Sequence, residues 1–281
     1  MKLLNTVDSI RRELKKHKVR GKSIGFVPTM GALHEGHLRL IRQAAKENNI
    51  VVVSIFVNPI QFGPKEDLKK YPRTLKKDLA ICRKFGVDFV FTPSVKEIYP
   101  NGFSTYVFVE GLSNILCGAS RPGHFQGVAT VVTKLLNIIQ PVTLYLGQKD
   151  AQQAVIIKRM IVDLNIPVRI KIIPTVRRID GLALSSRNKY LNNHESIDAS
   201  VLSRALNLAR VLIKNGARDS LRIISRMKQL ILQKKAKIDY ISIVDANNLS
   251  PLKVVSGDCL IVLAVRFGKV RLIDNVIIRI T

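Results

Sequence analysis

Two histidines, His34 and His37, are the side chains of this sequence best placed to do chemistry. An apolar run at Ser23–Val27 precedes them and predicts a short strand, and apolar residues with helical spacing follow them and predict a helix. The strand-to-helix turns of a parallel α/β sheet bind ligands, and helix N-termini attract phosphate. If the helix starts near Gly36, both imidazoles face the same side and can donate to phosphate oxygens. Gly31 and Gly36 let the backbone approach a ligand closely.

The segment Pro28–His37 resembles the HxGH signature of the nucleotidyltransferase superfamily. In its longer form, Pro-Thr-Met-Gly-Ala-Leu-His-Glu-Gly-His, it is similar to the pantothenate synthetase family. In the superfamily the histidines bind a nucleoside triphosphate and stabilise the transition state at its α-phosphate. The resemblance therefore implies that His34 and His37 are catalytic. It also implies that ATP is contacted along the whole turn, by Met30, Gly31, Ala32, Leu33, His34, Glu35, Gly36 and His37.

The segment Val57–Thr74, with Asn58 and Gln61 following a predicted strand, also resembles this family. There the glutamine that matches Gln61 contacts pantoate and β-alanine, which implies a substrate-binding role. Amides both donate and accept hydrogen bonds, so they suit a ligand with hydroxyl and carboxylate groups. From the residue types alone, an Asn-Pro turn capped by its own side chain is an open alternative.

A third segment, Gly147–Gln153, resembles the family's second nucleotide-contact segment. The resemblance implies a pantoate contact at Gln153 and ATP contacts at Gly147, Gln148, Lys149 and Asp150. Taken alone, Lys149 is equally consistent with a surface lysine, and Asp150 with the N-cap of the following helix.

The stretch Leu184–Arg187 resembles the ATP-binding loop of the same family. The resemblance implies a backbone contact from Val176 to adenine and ATP contacts at Leu184, Ser185, Ser186 and Arg187. Hydroxyls and an arginine can grip phosphates, although a plain basic loop has the same composition. The segment Arg121–Phe125 resembles the family too, but His124 could simply order its own loop, and we assign it no role. Asp88 is interpreted as a strand-edge residue rather than a contact to a nucleotide-bound metal.

Apolar runs alternate with helical patterns through the first part of the chain. The predicted strands are Ser23–Val27, Ile50–Phe56, Asp88–Thr92, Ser104–Val109, Val168–Ile173 and a run that begins at Thr143. The predicted helices are Met1–Lys18, Thr74–Phe85, Val128–Ile139 and Ala151–Leu164, besides the helix after His37. This alternation predicts an α/β fold, with a Rossmann-like parallel sheet in an N-terminal domain of residues 1–176.

The pattern changes beyond this point and predicts a smaller α+β lid domain of residues 177–281 that closes over ATP. Its predicted helices are Ser196–Asn215 and Ser220–Lys235, and its predicted strands are Ile238–Val244, Cys259–Phe267 and Val270–Ile280. A hairpin turn is predicted at Phe267–Lys269. This part of the chain has no nucleotide-binding motif after the loop at Leu184–Arg187.

The chain is strongly basic, with 46 Lys and Arg against 20 Asp and Glu and a net charge of +26. Because this charge occurs in both halves, without interleaved aromatics, a generally basic surface is favoured over nucleic-acid binding. The sequence has no apolar run of membrane-spanning length and no apolar core of a secretory signal at its start. Cys82, Cys117 and Cys259 are widely spaced, which favours free thiols in a reducing compartment and a cytoplasmic location.

The resemblance implies an ATP-dependent ligase that makes pantoyl-adenylate and pyrophosphate from pantoate, then pantothenate and AMP upon attack by β-alanine. It implies Mg²⁺ carried on the nucleotide, no tightly bound cofactor and a homodimer. Two alternatives stay open: a nucleic-acid-binding relative of tRNA synthetases and a different nucleotidyltransferase. A zinc site at His34 and His37 is disfavoured because no third ligand is evident.

Overall fold

The computed structural model describes residues 1–64 and 66–280, which separate into two compact units. The first unit comprises Met1–Gly147 and Ile156–Ile173, and the second comprises Gln148–Val155 and Pro174–Thr281. The division into domains 1–176 and 177–281 stays a prediction.

The first unit is built on the strands β1 (Lys2–Leu4), β2 (Ile24–Thr29), β3 (Ile50–Ile55), β4 (Phe89–Phe91), β5 (Thr143–Gly147) and β6 (Arg169–Ile173). They form one parallel sheet in the order β1-β4-β3-β2-β5-β6. The helices along this part of the chain are α1 (Val7–Lys18), α2 (Glu35–Glu47), α3 (Leu75–Lys84), α4 (Val95–Ile98), α5 (Cys117–Ser120), α6 (His124–Ile139) and α7 (Ala151–Asp163).

The central strands are buried on both faces, as their continuous β-branched sequences predict. On one face, Val27 and Val53 cluster with Ile41 of α2 and Cys82 of α3. The residues that alternate with them along the strands, such as Phe26, are also fully buried. Helices therefore cover both sides of the sheet, and in sheets of this kind ligands bind in loops at the carboxyl ends of the strands.

The strand order reverses at β2. From β2 the chain proceeds through β3 to β4 on one side, whereas β5 and β6 lie on the other side. The turn after β2 and Gly147 at the end of β5 therefore leave neighbouring strands. In open parallel sheets this reversal point is where a ligand crevice forms.

The predicted helix over Met1–Lys18 is wrong at its start, because Lys2–Leu4 forms the edge strand β1 beside β4. Thr6 stops the helix from extending further back, since its Oγ1 accepts the backbone N–H of Ser9 at 3.2 Å as an N-cap. The apolar residues at the start of the chain continue the helical spacing of α1, so the sequence pattern does not show where β1 ends and α1 begins.

The strand predicted at Ser104–Val109 is also wrong, since these residues join neither described sheet. The backbone N–H of Val107 instead donates to the side chain of Thr130 at 2.9 Å. Helix α6 starts at His124 rather than at Val128, because Gly123 takes a left-handed φ of 79° and ends the preceding loop there.

The second unit contains the helices α8 (Asn193–Ala199), α9 (Val201–Lys214) and α10 (Ser220–Leu232). Its strands β7 (Ala236–Asp245), β8 (Asp258–Phe267) and β9 (Val270–Arg279) form an antiparallel sheet in chain order. The helix predicted at Ser196–Asn215 is divided at Ser200 into α8 and α9, whereas the hairpin turn between β8 and β9 is confirmed.

An apolar core joins the helices and the sheet of the second unit, with Leu206, Met227 and Leu263 among its fully or almost fully buried members. The predicted combination of a Rossmann-like parallel sheet and a smaller α+β part is therefore confirmed. Among the described residues, each helix is too short or too polar to cross a bilayer.

Candidate active site

His34 and His37 form a cap at the start of α2. His34 is the N-cap residue, and its Nδ1 accepts the backbone N–H of Gly36 at 3.2 Å. The Nδ1 of His37 accepts the backbone N–H of His34 at 3.3 Å, and the two ring centroids lie 4.1 Å apart. The predicted start of this helix near Gly36 is confirmed, and the imidazoles themselves satisfy two of its backbone donors.

These bonds fix the tautomer of both rings. A backbone N–H can only donate, so each Nδ1 must present a lone pair. In the neutral imidazole the proton then lies on Nε2, so Nε2–H is the ring donor of this tautomer. An imidazolium ring would carry a proton on Nδ1 as well and could not accept the capping bond. The geometry therefore favours two neutral histidines that donate from Nε2.

Asp78 on α3 holds the turn that precedes these histidines. Its carboxylate accepts the backbone N–H of Ala32 at 3.0 Å and that of Leu33 at 2.9 Å. Gly31 and Ala32 both take left-handed conformations, with φ of 83° and 50°, and for alanine this is unfavourable. Asp78 is 1% exposed, and Thr74 supplies a further hydrogen bond at 3.2 Å.

Asp78 was missed by the sequence analysis because it is 46 residues from Ala32 and belongs to no recognised motif. Its bonds also limit how the turn could contact ATP. The N–H groups of Ala32 and Leu33 are engaged by the carboxylate, and that of Gly31 donates to Thr29 Oγ1 at 3.1 Å. The ATP contacts predicted at Gly31, Ala32 and Leu33 would have to use other atoms.

Gln61 lies close to the turn, in a 3-10 turn at Pro59–Gln61, and is 8% exposed. Its Nε2 is 3.1 Å from the sulfur of Met30, and its Oε1 accepts from Asn58 Nδ2 at 3.0 Å. The side chain of Asn58 accepts no backbone N–H of the turn, so it is not an N-cap. Besides its bond to Gln61, its Nδ2 donates to the carbonyl of Gly127 at 3.0 Å. The alternative of a self-capped Asn-Pro turn is therefore wrong.

Tyr99 completes the support of Asn58 by donating its hydroxyl to Asn58 Oδ1 at 2.7 Å. Burial raises the pKa of Tyr99, so the hydroxyl keeps the proton that it donates. Gly127 allows α6 to approach closely, since a Cβ there would lie 2.6 Å from the carbonyl oxygen of Ile60 and 2.7 Å from the backbone of Gln61.

His124, to which the sequence assigned no role, bonds directly to the backbone of Gln61. Its Nε2 lies 2.8 Å from Arg121 Nη1, which can only donate, so the ring proton is on Nδ1. Nδ1–H then donates to the carbonyl of Gln61 at 2.8 Å. Arg121 is held by a two-pronged ion pair with Glu66, at 2.6 and 2.7 Å. Burial alone would raise the pKa of Glu66, but the bonds from Arg121 outweigh it and the pKa is lowered.

The second predicted nucleotide segment forms a 3-10 turn, Gln148–Asp150, at the start of α7. Lys149 Nζ lies 3.4 Å from the carboxylate of Asp150, and about half of the Asp150 side chain is exposed. Gln153 follows on the first turns of α7 and is partly buried. All of these residues belong to the second unit, whereas Gly147 belongs to the first.

The predicted ATP loop is a short hairpin followed by a 3-10 turn. The backbone N–H of Leu184 donates to the carbonyl of Val176 at 2.9 Å, which brings the two predicted contacts together. Ser185 caps the turn at Ser186–Tyr190, with its hydroxyl oxygen accepting from the N–H of Arg187 at 3.3 Å. A hydroxyl that accepts in this way still has its own hydrogen to donate.

Asp88 has a structural role, and the three cysteines are buried. The Oδ2 of Asp88 accepts the backbone N–H of Val51 at 2.8 Å, in keeping with its interpretation as a strand-edge residue. Cys82, Cys117 and Cys259 are buried and form no disulfide among the described residues, and burial raises the pKa of Cys82 to about 12. Across residues 1–64 and 66–280, His, Cys, Asp and Glu side chains form no cluster of three or more that could hold a metal ion.

A family model described as pantoate-beta-alanine ligase matches residues 2–277. The chain belongs to the pantoate–β-alanine ligase family. A pantothenate synthetase from Moorella thermoacetica is 53% identical over 281 residues, which is 100% of this chain and 99% of that protein. One from Thermosipho melanesiensis is 51% identical over 278 residues, with 99% of each chain covered.

Solved structures of the pantoate–β-alanine ligase family have the same fold. The pantothenate synthetase of Thermus thermophilus matches with a TM-score of 0.93 and 45% identity, covering 98% of this chain and 99% of that one. The Francisella tularensis pantoate–β-alanine ligase, complexed with βγ-ATP and β-alanine, matches with a TM-score of 0.81 and 39% identity, covering 98% and 97%. The predicted family and ligase class are confirmed, whereas the roles of individual residues stay predictions.

Replacing Asp78 with Asn tests whether its carboxylate holds the turn. An amide of the same shape can accept only through its one oxygen, so one buried backbone N–H of the turn loses its partner. We expect the free energy of unfolding to fall by about 2 kcal/mol, measured by urea titration. Thr74→Val is the matched control, because it removes one hydrogen bond from Asp78 and leaves both backbone bonds intact. Equal losses in the two variants would contradict this role.

Proposed function

We propose that this chain uses ATP to condense pantoate with β-alanine, giving pantothenate, AMP and pyrophosphate through a pantoyl-adenylate. The observation that carries the proposal is the pair of histidines at the start of α2. Each accepts a backbone N–H through Nδ1, which leaves the ring proton on Nε2 as a donor for a ligand. They follow the strand at which the order of a parallel sheet reverses. The F. tularensis relative with bound βγ-ATP and β-alanine supports the choice of these two substrates.

In the first step, a carboxylate oxygen of pantoate attacks the α-phosphorus and pyrophosphate leaves. Negative charge builds up on the non-bridging oxygens as the phosphorus becomes five-coordinate. His34 and His37 donate Nε2–H bonds to these oxygens, which stabilises the transition state more than the substrate. No side chain forms a bond to the phosphorus, so the enzyme acts by positioning and by stabilising charge.

The remaining predicted contacts divide between the two substrates. Gln61 and Gln153 orient the hydroxyl and carboxylate groups of pantoate, since an amide can serve both kinds of group. The ATP contacts are the turn residues Met30, Gly31, Ala32, Leu33, Glu35 and Gly36, with Gly147, Gln148, Lys149, Asp150, Val176, Leu184, Ser185, Ser186 and Arg187. Among these, Lys149 and Arg187 provide positive charge for the phosphates, and Mg²⁺ is carried on the nucleotide.

In the second step, the amine of β-alanine attacks the acyl carbonyl of the adenylate, an amide bond forms and AMP leaves with the bonding electrons. The proton lost by the amine passes to the departing phosphate. The acyl-adenylate reacts readily with water, so the site must exclude water while the intermediate waits for β-alanine. We place this enzyme in the cytoplasm, in line with its buried cysteines, which form no disulfide among the described residues. A homodimer is proposed from the family resemblance alone.

The reaction is tested by measuring AMP and pyrophosphate release from MgATP with pantoate and β-alanine each present or omitted. We expect AMP release to require both substrates, and isotope exchange between pyrophosphate and ATP to require pantoate alone. Exchange between pyrophosphate and ATP in the absence of pantoate would contradict the proposed sequence of steps. AMP release without any pantoate-dependent exchange would contradict it as well.

Replacing His37 with Ala tests the charge-stabilising role. Loss of one donor to a transition-state oxygen should lower the rate of adenylation on the order of 10²-fold. The rate is measured by pantoate-dependent pyrophosphate exchange at saturating ATP. His194→Ala, at an exposed position on α8, is the matched control and should leave the rate unchanged. Near-normal exchange in the His37 variant would remove this residue from the mechanism.

Replacing Gln61 with Ala separates substrate binding from a purely structural role. We expect the KM for pantoate to rise roughly tenfold, because that corresponds to the binding free energy of one or two lost hydrogen bonds. The KM for ATP should change much less. Steady-state kinetics with each substrate varied in turn provides the comparison. Gln229→Ala, on the exposed side of α10, serves as the control. Equal rises in both KM values would make Gln61 a structural residue.

A further inference from the structure

Two adjacent polar residues, Asp274 and Asn275, interrupt the apolar sequence of β9. Each is only 2% exposed, and the flanking residues Leu272 and Val276 belong to the apolar core of the second unit. Burying polar groups in a core is unfavourable unless they form hydrogen bonds. Their partners therefore indicate what this position is for.

Asn275 clasps the 3-10 turn that carries Lys149. Its Nδ2 donates to the carbonyl of Gln148 and to the carbonyl of Lys149, both at 2.9 Å, and its Oδ1 lies 3.3 Å from Gln148 Nε2. Carbonyl oxygens can only accept, so the orientation of the amide is fixed by its surroundings. Both amide hydrogens are used to hold one short stretch of backbone.

Asp274 holds the hairpin that leads to the loop at Ser185–Arg187. Arg177, the residue after Val176, donates to both of its carboxylate oxygens, at 2.6 and 2.9 Å. The same guanidinium donates to the carbonyl of Gly181 at 3.1 Å, within the hairpin. The carboxylate of Asp274 also accepts the backbone N–H of Asn275 at 2.8 Å. The hydrogen bonds of Asp274 and those of Asn275 therefore form one network.

We infer that Asp274 and Asn275 are positioning residues for nucleotide binding: through backbone carbonyls and Arg177, they fix Lys149 and the ATP loop relative to each other within the second unit. The inference rests on the proposed function, which assigns these two segments to the nucleotide. A lysine is a point charge on a flexible stem, so its usefulness depends on where its backbone is held. The sequence of this strand contains no recognised nucleotide-binding motif.

Replacing Asn275 with Asp gives the sharpest test, because the two side chains have the same shape. The carboxylate has no hydrogen to donate and repels both carbonyls, so the turn that carries Lys149 must shift. On the full chain, we expect the Kd for MgATP, measured by calorimetry, to rise about tenfold or more, as for a lost charge-assisted contact. The KM for β-alanine, which reacts after pyrophosphate has left, should change by less than about twofold.

Asp239→Asn is the matched control. Asp239 lies in the same three-stranded sheet and accepts from Arg266 and Arg271, at 3.1 and 2.7 Å, so its loss also breaks arginine contacts. It should leave the Kd for MgATP unchanged. Arg177→Lys should weaken MgATP binding as Asn275→Asp does, because a single ammonium cannot bridge both oxygens of Asp274 as the guanidinium does.

Asn275→Ser, which is neutral and too short to reach both carbonyls, decides the matter if the Asp variant does not fold. A folded Asn275 variant with wild-type affinity for MgATP overturns the inference, as does an equal loss in the Asp239 variant. The affinity measurement does not depend on turnover. If the wild-type chain binds MgATP but shows no pantoate-dependent exchange, the proposed reaction fails while the positioning role is still decided.

Discussion

The carboxylate of Asp78 is the contact on which the predicted catalytic turn depends. Without it, the buried N–H of Ala32 and the partly buried N–H of Leu33 would lose this partner, and no bond from Asp78 would offset the unfavourable left-handed conformation of Ala32. A negative charge would be unfavourable beside the proposed triphosphate, so we attribute the benefit of Asp78 to the geometry of its two backbone bonds. It fixes the path of the chain into α2, and the path decides where two imidazoles point.

Buried side chains also hold the other predicted substrate contacts in place through hydrogen bonds, although with different polar groups. Gln61 is held through Asn58, Gly127 and His124, and Lys149 is held through Asn275. His124 and Asn275 are remote in sequence from Gln61 and Lys149, and each bonds to the backbone carbonyl of its partner. Gly127 acts through Asn58, which bonds to both Gly127 and Gln61. These hydrogen bonds are buried or partly buried and directional, so we expect them to preserve the geometry in the absence of ligand.

The sequence was sufficient for the features that depend on local pattern. The β-branched run of β3 and the turn with His34 and His37 each carry their information within a few residues. It failed where a longer-range contact overrides the pattern. Lys2–Leu4 continues the helical spacing of α1 but pairs with β4, and Ser104–Val109 alternates like a strand but joins neither described sheet. Asp78, His124 and Asn275 were missed because their partners become neighbours only in the folded chain.

The capping bonds of His34 and His37 restrict which side chains these positions can hold. Lysine or arginine would bring more positive charge to a phosphate, but neither has a lone pair with which to accept the N–H of Gly36 or of His34. Asparagine could also accept the backbone N–H and cap the helix. Its amide is too short, however, to accept that N–H and at the same time donate to a phosphate on the opposite side. Imidazole is the side chain that accepts on one edge and donates from the other across a rigid ring. If these side chains also bind phosphate, as proposed, helix capping and phosphate binding together require histidine, which neither requirement would impose alone.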